Sequence, residues 1–411
     1  MQPYDSPEEA AFRAEARAFL DAHAEPLPPW VVAPSAIVAE WTPAEEEHRL
    51  EEARAWQRLK QAHGFAGIAW PKAYGGRGGT LVEQLIFSQE EARYDVPRDA
   101  LVVGLGWCGP AVLRHGSEAQ RRRWLPALLS GDEVWCQLFS EPGAGSDLAG
   151  LGTRAVRDGA EWRITGQKVW TTFAHRSDWG LCIARHDPDL PKHRGLTAFV
   201  VDMRAPGITC RPLRQMTGSA NFNEVFLDDV VVPDDRRIGD VGDGWRVVIT
   251  TFMFERLSLA YGSDRVLEAL ASLVRERGRS QDPTVRRRYA EIYARAAALR
   301  FTGMRLLTAV SRGRTPGPEG SVVKLLATGM LDELHTLALD LFEADGTLAA
   351  EVAPWHGEWH AAFLGVPGLR IGGGTDEIQR NIIAERVLGL PPDLRVDKDV
   401  PWAAVPRGTP A

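Results

Sequence analysis

Two runs in the middle of the chain combine residue types suited to holding an aromatic ring and a phosphate. Ser140-Glu141-Pro142-Gly143-Ala144-Gly145-Ser146-Asp147 gathers turn formers with a hydroxyl and a carboxylate, and its bare backbone N–H groups can approach an anion closely. About twenty residues on, Gly166-Gln167-Lys168-Val169-Trp170-Thr171-Thr172 supplies an indole and a hydroxyl from a strand. The spacing predicts Trp162-Arg163-Ile164 turning at Thr165-Gly166 into Val169-Trp170-Thr171-Thr172. A Gly-rich turn or a strand tryptophan alone is ordinary structure. In this order and spacing the pair reads as a flavin platform, with Trp170 walling an isoalloxazine ring.

A third feature offers a proton acceptor. Thr251, Glu255, Ser258 and Gly262 recur at i, i+4, i+7 and i+11 on one helical stripe, which leaves room beside Glu255 for a ligand. Arg256 projects about 100° away and need not neutralise it. Burial among Phe252, Phe254, Leu257 and Leu259 would raise the pKa of Glu255 and strengthen it as a base. The alternative is a helix-surface carboxylate, as most glutamates are.

The surrounding elements fall into three blocks. Residues 6–133 read as helices over 8–23, 43–63, 81–94, 100–115 and 117–129, with a Pro-rich connection at 26–34 and a loop at 70–79. From residue 134 the texture turns to short β-rich segments at 134–138, 153–156, 161–164, 167–171, 179–184, 196–202, 208–212 and 223–232, the pattern of a sandwich or barrel. Candidate helices at 245–276, 283–313, 320–343 and 376–388 predict a four-helix bundle, with 364–375 as a Gly-rich loop. The division is a helical domain 1–133, a β-domain 134–240, a helical bundle 241–395 and a surface tail 396–411.

Composition narrows the function. A chain of 411 residues with net charge -7 carries no nucleic-acid footprint, which needs a basic face. Arg121-Arg122-Arg123 and Arg286-Arg287-Arg288 lie in Glu-containing helical surroundings and read as solvated faces. Cys108, Cys136, Cys182 and Cys210 are too scattered to suggest a zinc site or a disulfide framework, and no other metal set is expected. A reducing cytoplasm fits them. No apolar run reaches membrane-spanning length, and the acidic N-terminus, with Pro3 and Pro7, reads as neither signal nor transit peptide.

The two central runs, with Ala69-Trp70-Pro71-Lys72-Ala73-Tyr74-Gly75-Gly76-Arg77-Gly78, Asn223-Glu224-Val225-Phe226-Leu227-Asp228-Asp229-Val230-Val231-Val232-Pro233 and Gly372-Gly373-Gly374-Thr375-Asp376-Glu377-Ile378-Gln379-Arg380, are collinear over some three hundred residues. Together they resemble the acyl-CoA dehydrogenase family. The resemblance implies FAD as cofactor and conversion of an acyl-CoA thioester to its trans-2-enoyl form, with α-proton abstraction and β-hydride transfer to the flavin. The family's base stands either just before Gly-Thr in the C-terminal loop or on the first bundle helix. Here the loop position is Gly373, so the sequence is similar to the helix-base branch of isovaleryl- and long-chain acyl-CoA dehydrogenases, with Glu255 as base. By the same resemblance the Gly373 N–H polarises the thioester carbonyl, and Gly374 and Arg256 lie on the substrate path. Phe139 and Ser140 face the ring edge, Gly145 and Ser146 the pyrophosphate, Trp170 and Thr172 the ring, and Thr375 and Glu377 the adenosine-phosphate side. An electron-transfer flavoprotein is the expected acceptor, and a homodimer or homotetramer the expected assembly.

Two departures qualify this. The family's Gln-x-x-Gly-Gly-x-Gly flavin clamp is replaced by Asp340-Leu341-Phe342-Glu343-Ala344-Asp345-Gly346, whose carboxylates would repel a pyrophosphate. Its Arg-x-x-Phe-Gly element is missing, although Arg275, Arg277 or Arg279 could supply the arginine. The competing readings are therefore a flavin-poor or non-catalytic subunit of a hetero-oligomer, and a related flavin oxidase or monooxygenase acting without CoA.

Overall fold

The computed structural model describes residues 5–28, 31–32, 41–97, 99–258, 263–312, 317–348, 352–395 and 397–405. Its described α-helices are α1 (Pro7–His23), α2 (Pro43–Ala62), α3 (Leu81–Glu91), α4 (Gly109–His115), α5 (Glu118–Ser130), α6 (Gly244–Ser258), α7 (Ser263–Glu276), α8 (Pro283–Ser311), α9 (Gly320–Phe342), α10 (Glu358–Ile371) and α11 (Asp376–Ile382). Between α5 and α6 run β1 (Trp135–Leu138), β2 (Arg154–Asp158), β3 (Glu161–Thr172), β4 (Trp179–Arg185), β5 (Leu196–Asp202), β6 (Ile208–Leu213), β7 (Phe222–Pro233) and β8 (Arg237–Ile238). The chain divides into two compact units, Met1–Asp99 with Gln215–Ser219 and Glu255–Leu390, and Ala100–Arg214 with Ala220–Phe254 and Pro391–Ala411.

In the first unit the N-terminal helices start where the sequence says they should. Ser6, Thr42 and Thr80 each open a helix with a reciprocal capping box to Glu9, Glu45 and Glu83, which satisfies backbone donors that a helix start leaves bare. Phe12, Phe19, Trp56, Phe65 and Phe87 form one aromatic core. The buried Glu90 is held by Arg13 at 2.6 Å and Arg17 at 2.7 Å. The C-terminal helices share a second core, including Leu270, Leu273, Ile292, Val323, Leu334, Leu337, Phe342 and Trp359.

Two expected helical-region elements are corrected. The span 364–375 is not a loop throughout: α10 continues to Ile371 through Gly365, Pro367 and Gly368. Its buried Trp359, Ala362 and Val366 lie on one face, so packing outweighs weak propensity. Within the span 245–276, Gly244–Ser258 and Ser263–Glu276 are helical as expected, and residues 259–262 lie outside the described residues. The span 100–115 winds as a 3-10 turn, a π-helix over Val103–Cys108 and then α4. Pro110 has no N–H to continue an α-helical ladder there, and the wider turn is closed by the Gly109 N–H on Gly104 O.

The second unit is built on an eight-stranded sheet in the order β6-β7-β3-β2-β4-β5-β8, with β1 beside β4. Its core gathers Leu138, Trp162, Ile164, Phe199, Val201, Val225, Leu227, Val230 and Val232, together with Cys136 and Cys182. The expected turn at Thr165-Gly166 is instead a bulge inside one long strand. Register shifts fall between Ile164 and Gly166 and again between Lys168 and Thr171. Glycine is required at 166, because a Cβ there would stand 2.4 Å from Thr153 Oγ1. The second shift moves the inward positions from 162, 164 and 168 to 171, so Trp170 points out of the sheet.

Candidate active site

The loop after β1 is shaped by an ion pair between the half-buried Glu141 and the buried Lys168. Glu141 accepts hydrogen bonds from Gly152 N at 2.7 Å, Thr153 N at 2.8 Å and Lys168 Nζ at 2.9 Å. Lys168, wholly buried, also donates to Phe139 O at 3.0 Å and Ile183 O at 2.9 Å. Desolvation opposes the charge of Glu141, but the Lys168 ammonium and the three donors prevail and hold its carboxyl below the usual range. A tight pairing of Glu141 with Ala144 then turns the chain at Pro142-Gly143 and leaves Gly145 and Ser146 exposed.

Trp170 is 60% exposed and has a left-handed backbone, φ 60°, which is uncommon for a bulky residue. Its indole stands edge-on to Phe222 at 6.1 Å, and Thr172 beside it is half-buried. Ser140 is half-buried, and its carbonyl accepts from Val169 N at 2.9 Å. The Phe139 ring is 3% exposed and packs against Phe252, so the outward-facing groups here are Ser140, Ser146, Trp170 and Thr172. A Cβ on Gly143 or Gly145 would meet nothing within 4 Å, and neither has a positive φ. Neither packing nor backbone conformation of this chain asks for glycine there, whereas close approach of an anion to the backbone does. An open aromatic face and an open glycine loop with a hydroxyl are what a flavin nucleotide requires, and these residues fit it.

In the first unit, the end of α6 and the loop after α10 meet. Gly373 has φ 63° and Gly374 φ 92°. A Cβ on Gly373 would lie 2.7 Å from Glu255 Oε1, so the helix carboxylate lies where a loop side chain would begin. Thr375 caps α11 by accepting from Ile378 N at 3.3 Å. Glu377 is exposed, 3.6 Å from Arg380, and its carboxyl lies below the usual range chiefly through its own backbone N–H and the Thr375 hydroxyl. The Arg256 and Ser258 side chains and Gly262 lie outside the described residues.

Two residues not singled out from the sequence build this loop. Gln379, fully buried, donates from Nε2 to Gly373 O at 2.9 Å and Gly374 O at 3.1 Å. Lys324, also fully buried, donates to Arg370 O at 2.9 Å before the loop and pairs with Asp376 at 3.5 Å after it. Desolvation pushes the Lys324 pKa down, against the attraction of Asp376 and then Glu255. Asp376 is held by Arg370 at 2.8 Å. A lysine inside the apolar run Val322-Val323-Lys324-Leu325-Leu326-Ala327 is a signal that sequence inspection could have used.

The carboxylates of the altered clamp are not left bare. Arg288 pairs with Asp340 at 2.6 Å, Arg277 with Asp345 at 3.4 Å, and Arg279 with Glu343. Arg277 also lies 4.6 Å above the Phe342 ring. The repulsion expected from the sequence is therefore offset by arginines of the same unit, which are themselves engaged. Arg275 donates to Ser272 Oγ at 3.0 Å.

A helical segment, a β-sheet unit and a second helical segment in chain order, with a carboxylate against a left-handed glycine, define a three-domain enzyme architecture. The acyl-CoA dehydrogenase N-terminal, middle and C-terminal domain models match residues 6–132, 136–230 and 242–388. The chain belongs to the acyl-CoA dehydrogenase family and is an oxidoreductase. It is 38% identical over 363 residues to acyl-CoA dehydrogenase IpdE1 of Mycobacterium tuberculosis, covering 86% of this chain and 92% of that protein. It is 41% identical over 334 residues to acyl-CoA dehydrogenase FadE34 of the same organism, covering 80% of this chain but only 45% of that longer relative. Among solved structures, the Tcur3481-Tcur3483 steroid ACAD superposes with a TM-score of 0.82 at 29% identity, covering 96% of this chain and 100% of that one. The ChsE4-ChsE5 complex from Mycobacterium tuberculosis gives 0.74 at 27%, with the same coverage. No described helix is long and apolar enough to cross a membrane.

Proposed function

We propose that this chain dehydrogenates an acyl-CoA thioester between its α and β carbons, with Glu255 as the base that removes the α-proton and FAD as cofactor. The observation that carries the reading is the placement of the Glu255 carboxylate against Gly373, 2.7 Å from the position of a Cβ there. A weakly acidic α-proton needs a carboxylate and, beside it, donors for the thioester oxygen. Glu255 supplies the first, and the Gly373 backbone N–H, in a loop fixed by Gln379 and Lys324, supplies the second. Gly374 leaves the substrate path clear, and Arg256 lies on the pantetheine side. Ser140, Gly145, Ser146, Trp170 and Thr172 would hold the flavin, with Phe139 buried behind them and Thr375 and Glu377 on the adenosine-phosphate side. Bound there, FAD would supply the acceptor for the β-hydride, with an electron-transfer flavoprotein as the proposed electron acceptor. The blocks 1–133, 134–240, 241–395 and 396–411 are the working divisions of this cytoplasmic enzyme.

The test is Glu255→Gln. It should bind FAD normally yet lose anaerobic bleaching by acyl-CoA, and full bleaching would remove Glu255 from the mechanism. The acyl panel should span straight, branched and ring-bearing thioesters, because a solved relative at 29% identity is described as a steroid enzyme.

A second reading is a subunit of a hetero-oligomer. It is supported by the ion-paired Asp340, Glu343 and Asp345 in place of the glycine clamp, and by solved relatives that carry two names. Purified alone, the chain would then carry less than one flavin per protomer; stoichiometric yellow protein favours a homodimer or homotetramer.

A further inference from the structure

The segment after Pro391 lies beyond all three matched domain ranges, the last of which ends at residue 388. Its described residues 397–405 lie at the surface and are tied to the sheet unit. Trp402 N donates to Leu190 O and Ala403 N to Pro188 O, both at 2.9 Å, while Pro401 bridges Pro191. Trp402 Nε1 donates to Gly150 O at 2.9 Å, and its ring lies 3.7 Å from where a Cβ of Gly152 would be. The Arg185 guanidinium stands 4.4 Å from the Trp402 ring centroid. Arg185 is 2% exposed and donates to Ala149 O at 2.6 Å, Leu151 O at 3.0 Å and Lys192 O at 3.2 Å. Lys192 in turn joins Asp147 at 2.8 Å to Asp397 at 2.5 Å.

These contacts converge on the residues that fix both ends of the glycine loop. Its start is anchored by Glu141 on Gly152 and Thr153, and its end, Asp147, by Lys192. The indole covers Gly150 and Gly152, and Asp397 holds the lysine that holds Asp147. Without the segment, Lys192 would lose one of its two carboxylates, and the carbonyl of Gly150 its indole donor.

We infer that the segment 397–405 is a strap that positions the phosphate-side loop Gly143–Asp147 for its nucleotide, with Trp402 and Asp397 as the positioning residues. This rests on the flavin reading above. The strap is supplied in cis, from the far end of the chain, to the unit that carries the loop.

The test uses the full chain stripped of flavin and titrated with FAD, following protein and flavin fluorescence. Trp402→Ala combined with Asp397→Asn should raise the FAD Kd by about tenfold or more, through a lost hydrogen bond, cation–π contact and charge pair. Amide exchange should accelerate over residues 140–152 while protection in β4 and β5 is kept, which a general loss of stability would not do. Trp402→Phe keeps the ring packing and loses only the N–H donor. It should give a smaller rise, and it carries the test if the double variant does not fold. An FAD Kd within twofold of the parent in Trp402→Phe and Asp397→Asn, with unchanged exchange over 140–152, overturns the inference. A folded parent chain that binds no FAD overturns the flavin reading instead.

Discussion

Substituting Gly373 by alanine tests the convergence of α6 and the loop after α10 most directly. A Cβ at that position would meet Glu255 Oε1 at 2.7 Å and Cδ at 3.4 Å, where ordinary contact begins at 3.4 Å. The carboxylate must therefore retreat by about 0.7 Å, the difference between 3.4 and 2.7 Å, or the loop must give way. The backbone adds a second cost, because φ 63° is left-handed and strains a non-glycine residue by about 1–2 kcal/mol. Gln379 and Lys324 hold the loop on both sides, so the added methyl bears directly on the carboxylate. On the proposed mechanism, a displacement of Glu255 approaching 1 Å should lower the rate of proton abstraction by about ten- to a hundredfold. The assay is stopped-flow bleaching of bound flavin by saturating acyl-CoA under anaerobic conditions, with flavin content measured alongside. Glu255→Asp, one methylene shorter, withdraws the carboxylate from the added methyl. The penalty of Gly373→Ala should therefore shrink in that background, and the two substitutions should couple. Wild-type bleaching by Gly373→Ala, or strictly additive effects in the double variant, would refute the contact as the seat of catalysis.

Other expectations follow from the buried charges. His335 is buried with its pKa lowered to about 4 by desolvation, so the folded state resists a proton that the unfolded chain accepts near 6.5. Its stability contribution is complete above pH 6.5 and is lost as pH falls toward 4, by about 3 kcal/mol. His335→Met should flatten that part of the pH dependence in urea titrations at pH 7 and 4.5, and an unchanged slope would show that another group dominates. Lys324→Met removes the cation that attracts Glu255; the acid limb of the bleaching rate should move to higher pH, and a limb that stays fixed would separate Lys324 from the base. Lys168→Met leaves Glu141 half-buried beside Thr153 without its cation and should destabilise the sheet unit by roughly 3–5 kcal/mol, read as a fall in denaturant midpoint. A midpoint within experimental error of the parent would mean that Glu141 takes up a proton at little cost.

The fold was legible where one physical signal governed. Capping boxes at Ser6, Thr42 and Thr80 set helix starts, and the near-continuous apolar run Leu196-Thr197-Ala198-Phe199-Val200-Val201, buried throughout, marked β5. It was lost where long-range packing reversed the local preference. Pro367 with two neighbouring glycines argues for a loop, yet Trp359, Ala362 and Val366 gain enough from burial to keep α10 helical. The site shows the same division. The helical stripe drew attention to Glu255, because residues four apart share a helical face, but its approach to Gly373 joins segments more than a hundred residues apart and no local period carries it. The outward turn of Trp170 could not be derived from strand period alone. Even spacing from Trp162, Ile164 and Lys168 places 170 inside, and only the slipped pairing with β7 exposes it. That slip also explains why the tryptophan carries a positive φ: the strand turns over between Lys168, wholly buried beneath the glycine loop, and Thr171, buried next to the indole. The strain belongs to the arrangement, because an unbulged strand would put either the lysine or the indole on the wrong face.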